Sequence, residues 1–276
     1  MIRVDHPGRG LLAPEAAASP GRSARPAMPP ARQSLPTACG CVLLDVETQW
    51  DFFRRGGNCY RWPESSAVAA NIYTLFQWAR QGGIPVMSTL LRVRPVKPGP
   101  LAKLPCCAEG SWGERKLVRT VLRERVNFGL RNSADLPPNV FQRYRQVIFE
   151  KRHTDLFSHT RAERLITELP PCTFVVCGAG VAEGIAQAAI GLRARGFAVV
   201  LARDAVLPIH TQRARKALLR MQAKGVNGLG TAQIAASAPD ELGAATLREN
   251  ADREAGSPVP RELGPPVESG IDRSSE

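Results

Sequence analysis

Three groups of residues in this 276-residue chain have the types and spacing to carry chemistry. Asp45 lies near the end of the apolar run CVLLDV, and Lys151 closes the run QVIFEK. The third is the glycine-rich turn from Gly178 to Gly184, inside VVCGAGVAEGIAQAAIGLRARGF. A carboxyl group and an amine at strand ends can hold and move protons. Backbone amides at a helix start can stabilise an oxyanion, next to a nucleophile if one is present. Here none is present, because no Ser, Cys or Thr stands between Gly178 and Phe197.

The elements that must position these groups can be read from hydrophobic periodicity. Short apolar runs at 41–46, 84–91, 146–151, 172–178 and 197–206 have the length and composition of buried strands. Between them, Val68, Ile72, Leu75, Phe76 and Ala79 recur at helical spacing, and Gly82-Gly83 stops that helix. Further helices are expected from Thr160, over Ile185 to Arg195, and over 211–225. The proline-broken region 92–136 is expected to hold a helix at Lys116 to Arg125, and TAQIAAS at 231–237 a last edge strand. Alternation of strands and helices predicts an α/β fold, a three-layer, doubly wound and mostly parallel sheet with helices on both faces. Ligands in such sheets bind at the carboxyl ends of strands, so Asp45, Lys151 and the 178–184 turn should converge.

Composition sets the limits around this core. Residues 1–37 are rich in Ala, Pro and Arg and lack apolar periodicity, and residues 246–276 are Pro-rich and acidic, so both read as disordered tails around one domain at 38–245. The leader is Arg-rich and acid-poor like a transit peptide, but its prolines interrupt any amphipathic helix, and Met28 is an equally good start. The formal net charge is +12. Between residues 38 and 236, 28 basic residues face 14 acidic ones, which suits an anionic substrate. The arginines are scattered without interleaved aromatics, the pattern of a solvated basic helix face rather than a nucleic-acid site. No apolar run is long enough to span a membrane. Seven cysteines without a CxxC or zinc spacing point to reduced thiols, a cytoplasmic setting and no metal site.

The order of LLDVETQW, EKRHTDLF and VVCGAGVAEG followed by ARGFAVVLARDAV resembles the isochorismatase-like hydrolases, which include isochorismatases, nicotinamidases and carbamoylsarcosine amidases. The resemblance runs from about Cys41 to Leu242. It implies a catalytic set of Asp45, Lys151 and, at the position of the family's usual cysteine nucleophile, Gly184. It also implies substrate contacts from Trp50, Arg92, Phe157, Gly178 and Val181, no cofactor, a small-molecule substrate and a homo-oligomer. The true isochorismatases also carry Gly in place of that Cys. They hydrolyse a vinyl ether, in which protonation of a methylene carbon is the hard step and one positioned carboxylic acid suffices. On this resemblance Asp45 is the general acid, and Lys151 tunes it or anchors a substrate carboxylate.

The chain also departs from the family pattern. Glu47 stands two residues after Asp45, where the family has Gln, and Gly180, Val181 and Ala182 replace a Tyr-Ala-His segment. These departures keep open a second reading, a catalytically silent member that binds a metabolite or a partner protein. Plainer explanations stand beside each residue. Cys177 suits a core position, Trp50 and Phe53 suit aromatic packing, and His153 suits an exposed loop. Gly178 and Gly180 begin a G-x-G-x-x pattern that ends on Glu183 instead of Gly, and a carboxylate there would repel a pyrophosphate.

Overall fold

Side chains of the first strand, β1 (Cys41–Val46), alternate between two cores. Val42, Leu44 and Val46 join one apolar cluster, while Cys41 and Leu43 join the other. Such two-sided burial requires helices on both faces of the sheet. The computed structural model describes residues 40–61, 63–94, 106–239 and 241–242. The expected tails at 1–37 and 246–276, and the domain boundaries drawn beside them, lie outside the described residues, as does the proline-rich stretch 95–105.

A short helix α1 (Trp50–Phe53) and the long α2 (Glu64–Gln81) lead to β2 (Val86–Leu91). Then come β3 (Arg125–Phe128), α3 (Val140–Arg143), β4 (Gln146–Lys151), α4 (Thr160–Glu168) and β5 (Thr173–Ala179). A π-helical turn at Val181–Ile185 runs into α5 (Ala186–Ala194). After it come β6 (Ala198–Leu207), α6 (Thr211–Ala223), β7 (Asn227–Leu229) and α7 (Thr231–Ala236). The seven strands form one sheet in the order β3-β4-β2-β1-β5-β6-β7, with every pair of neighbouring strands parallel. Side chains of α4, α5 and α6 pack on one face and those of α2 and α7 on the other. From β1 the chain first builds outward through β2, and it later returns to β1's other side with β5. The β1/β5 boundary is therefore the switch point at which such sheets open a crevice.

Two expectations change. Residues 116–125 do not form an α-helix but a 3-10 turn at Val118–Thr120 followed by extended chain into β3. The Gln146 side chain accepts from Leu122 N (2.7 Å) and donates to the Thr120 carbonyl (2.9 Å), taking backbone groups that a helix would have paired. The TAQIAA segment is a helix instead of an edge strand, and β7 lies just before it. Asp204 accepts from Thr231 N and Gln233 accepts from Gly230 N, satisfying donors at its start.

Candidate active site

Two acidic side chains two residues apart on and after β1 take opposite directions. Asp45 keeps the strand's alternation and faces the α2/α7 side, opposite Cys177 in the β5 register. Glu47 lies past the strand end with φ +53, a left-handed backbone uncommon for a residue with a Cβ. That turn breaks the alternation, and the Glu47 carboxylate comes to lie beside Gly184 instead. A Cβ on Gly184 would stand 3.0 Å from Glu47 Oε1 and 3.0 Å from Val46 Cγ1.

Lys151, at the end of β4, forms an ion pair with Glu47 across the end of β2. Its ammonium also donates to the carbonyls of His153 (3.1 Å) and Thr154 (2.9 Å). Three acceptors use all three donors of a lysine ammonium. Glu47 is 1 % exposed and Lys151 3 %. A buried pair of this kind needs its remaining hydrogen bonds satisfied, and the two carbonyls do this for Lys151. Glu47 N is held in turn by Thr89, through both its carbonyl and its hydroxyl at 3.2 Å.

The expected meeting of Asp45 with Lys151 does not occur, because each holds a different partner. Asp45 Oδ2 accepts from Ser88 Oγ (2.8 Å) and from Lys116, which completes a second buried ion pair. Lys116 also donates to Thr48 Oγ1 (2.7 Å), Thr48 meets Thr120 Oγ1 (3.1 Å), and Gln146 joins the Thr120 carbonyl to Ser88. Asp45, Lys116, Thr48, Thr120, Gln146 and Ser88 thus close a buried polar ring. Asp45 Oδ1 has no hydrogen-bond partner among the described residues. Lys116 was missed in the sequence because it sits in an irregular segment, with no strand end to mark it.

The other expected contacts are placed as follows. Gly184 lies inside the π turn, beside Glu47. Gly178 has φ +129, and a Cβ there would collide with the Val46 carbonyl oxygen, so this glycine lets β5 approach β1 closely. Val181 is buried in the α4/α5/α6 core. Phe157 packs on Gly191 of α5, and Arg195 covers its ring at 3.7 Å, so it works as a packing anchor. Arg92 is gripped by Glu114 (2.5 Å) and Glu150 (2.5 Å), which leaves its guanidinium committed to protein carboxylates instead of a substrate. Trp50 is partly exposed, packs on the α2/α7 core and donates its backbone N–H to Arg115 (2.8 Å). His153 is exposed, and its carbonyl is its link to the site.

Two features beside the site were not expected. Cys59 and Cys106, 47 residues apart, are joined in a disulfide with Cα atoms 6.2 Å apart, in place of the reduced thiols read from the sequence. Asp51 gathers their segments, since its carboxylate accepts from Asn58 N (3.1 Å) and Cys107 N (2.5 Å) and its carbonyl from Cys59 N (3.0 Å). Glu183, the residue before Gly184, keeps one carboxyl oxygen buried without a hydrogen-bond partner. Burial pushes its carboxyl above the ordinary range, with His210 and Arg213 opposing the shift and the Glu47 charge adding to it.

Two buried thiols, Cys177 and Cys107, lie near these charged groups. Burial pushes the Cys177 thiol well up, and Asp45 adds to the effect. Cys107 is raised for the same first reason, reinforced by Glu47 and Asp51. Both are therefore held as poorly nucleophilic thiols. Among the described residues, no group of three His, Cys, Asp or Glu side chains is placed to hold a metal ion, and no helix is long and apolar enough to cross a membrane.

Solved structures share this fold. The pyrazinamidase/nicotinamidase of Streptococcus mutans UA159 is 20 % identical with a TM-score of 0.52, covering 68 % of this chain and 99 % of its own. An isochorismatase-like hydrolase from Alkaliphilus metalliredigens is 16 % identical (TM-score 0.54; 70 % of this chain, 96 % of its own). The N-carbamoylsarcosine amidase of Thermoplasma acidophilum is 15 % identical (TM-score 0.52; 69 % and 96 %). No curated protein sequence is significantly similar to the chain. The isochorismatase domain model matches residues 41–233, from the first residue of β1 into α7. By that match over most of its length, with the fold to support it, the chain belongs to the isochorismatase family.

Proposed function

We propose that this chain is a hydrolase that works without a thiol, on a small carboxylate-bearing substrate, and that Glu47 supplies the carboxyl group of its proton chemistry. The observation that carries the reading is the placement of Glu47 Oε1 3.0 Å from where a Cβ on Gly184 would stand, bonded to Lys151. The family's usual sulfur would project from that Cβ. Glutamate is one methylene longer than aspartate, so its carboxylate reaches the space that the glycine leaves open. Sequence pattern supports the same assignment, because Gln49 stands two residues after Glu47, the spacing that the family has after its Asp. Gln49 is buried there, bonded to both backbone groups of Leu91 at 2.8 Å.

In the chemistry that fits, Lys151 fixes the Glu47 carboxylate in direction through a bond that its own two carbonyl acceptors make rigid. A vinyl ether such as isochorismate suits a site of this kind, because its hydrolysis needs proton transfers and water but no covalent intermediate. Asp45, the acid expected from the resemblance, keeps a supporting part in this reading: its ring with Lys116 holds the segment after Glu114 against the sheet.

The test is pyruvate release from isochorismate by the wild-type chain, Glu47→Gln and Asp45→Asn. Release that falls by about 10²–10⁴-fold in Glu47→Gln is the expected result. Full activity in that variant removes Glu47 from the chemistry. The burial of both charged groups favours a second reading, a catalytically silent member that binds a metabolite or a partner protein. Ligand binding with no turnover of any enol ether by the wild type would select it.

A further inference from the structure

We propose that Glu183 is a second catalytic carboxyl group of this site, donating the proton that the Glu47–Lys151 pair is not arranged to give. The inference rests on the thiol-free reading above. Glu47 is ion-paired, so its carboxylate is suited to accept a proton from water. A vinyl ether also needs a donor, and Glu183 is placed to be one. It occupies the π turn immediately before Gly184, following Gly180, whose φ of +77 turns the chain out of β5. One of its carboxyl oxygens is buried with no partner, although the residue as a whole is only half-buried. An ionised carboxylate would leave that oxygen without compensation, whereas a protonated carboxyl group tolerates it. The charged groups that act on it are Glu47, which favours its protonated form, and His210 and Arg213, at the start of α6, which oppose it. Environments that push two neighbouring carboxyl groups apart in protonation are how one site serves as both acid and base.

The Glu183 O–H bond breaks and its proton goes to the methylene carbon, with the C=C electron pair forming the new C–H bond. Water adds to the resulting oxygen-stabilised cation and gives a proton to Glu47. The hemiketal then collapses to the α-keto acid and an alcohol: the C–O bond to the alcohol breaks, the proton held on Glu47 passes to the departing oxygen, and the hydroxyl proton is released to solvent as the C=O bond forms. Solvent re-protonates Glu183. The Arg213 guanidinium, on an exposed position of α6, matches the negative charge of the substrate carboxylate.

The experiment measures isochorismate turnover by the full chain as wild type, Glu183→Gln and Glu183→Asp across pH, with a carboxyl-carbon NMR titration of the same proteins and of Glu47→Gln. Expected are a loss of about 10²-fold or more in Glu183→Gln and partial rescue in Glu183→Asp. The resonance absent from Glu183→Gln should titrate above the ordinary glutamate range and move down in Glu47→Gln. Wild-type turnover that Glu183→Gln retains would overturn this proposal and leave the Glu47 reading intact. A Glu183 resonance that titrates normally would also overturn it. A wild type that turns over no enol ether would remove the Glu47 reading, and this proposal with it.

Discussion

Glu47 Oε1 and the missing side chain of Gly184 compete for one position, with 3.0 Å between the carboxylate oxygen and the place of a Cβ. A larger residue at 184 therefore meets an oxygen that Lys151 holds in place. Gly184→Ala is expected to cost about 1–3 kcal/mol, as overpacking of buried sites does. Glu47→Asp, by withdrawing the carboxylate one methylene, should return part of that loss in the double variant. Urea unfolding of the two single variants and the double variant checks it, and strictly additive losses would contradict the shared space.

The Glu47–Lys151 pair should be far more costly to break than to replace. Lys151→Met leaves a buried carboxylate without its cation and should lose about 3–5 kcal/mol. Lys151→Met with Glu47→Gln removes both charges and should recover most of it. A double-mutant cycle by chemical denaturation measures the coupling.

Asp45→Asn is expected to be a stability variant first. It would turn amide donors toward Lys116 and leave that buried ammonium without its counter-charge, at a cost of about 3–5 kcal/mol. Lys116→Met paired with Asp45→Asn should be milder than Asp45→Asn alone. Thermal melts of the three proteins separate this structural role from a catalytic one, in which activity falls while the melting temperature holds.

Stability should respond to Glu183 in a defined direction with pH. Its folded-state carboxyl is raised above the ordinary value of 4.5, so the folded chain binds its proton more tightly than the unfolded chain does. The resulting stabilisation is complete below that ordinary value and is lost as pH rises through the folded value. Glu183→Gln, neutral at every pH, should therefore match the wild type in acid and exceed it near neutrality. Unfolding curves for both proteins across that interval give the comparison, and equal stability at every pH would contradict it.

Much of the sheet was legible because its central strands are continuous apolar runs bounded by turn residues. β1, β4 and β5 needed little more than that, and the family resemblance followed from what lay at their ends. The edge of the sheet was less legible. β3 has an alternating, half-exposed sequence in a segment whose backbone is claimed by the Gln146 side chain, which no local pattern announces. At the site, Lys151 and the 178–184 turn were visible from their positions at strand ends. The part proposed for Glu47 in place of Asp45 was not, because strict alternation puts residues two apart on the same face. Only the left-handed backbone at Glu47 separates them. Lys116 and the Cys59–Cys106 disulfide depend on contacts between segments far apart in sequence, and their local surroundings carry no trace of them.

The positive φ of Glu47 also sets stability against activity at a single residue. Glycine there would relax the backbone, and asparagine tolerates such a conformation better than glutamate does. Either replacement, however, would strand Lys151 and leave the space beside Gly184 unfilled. A search for more stable variants of this protein would thus be drawn to position 47 by its backbone, and any gain made there would come at the expense of the carboxylate on which the proposed reaction depends.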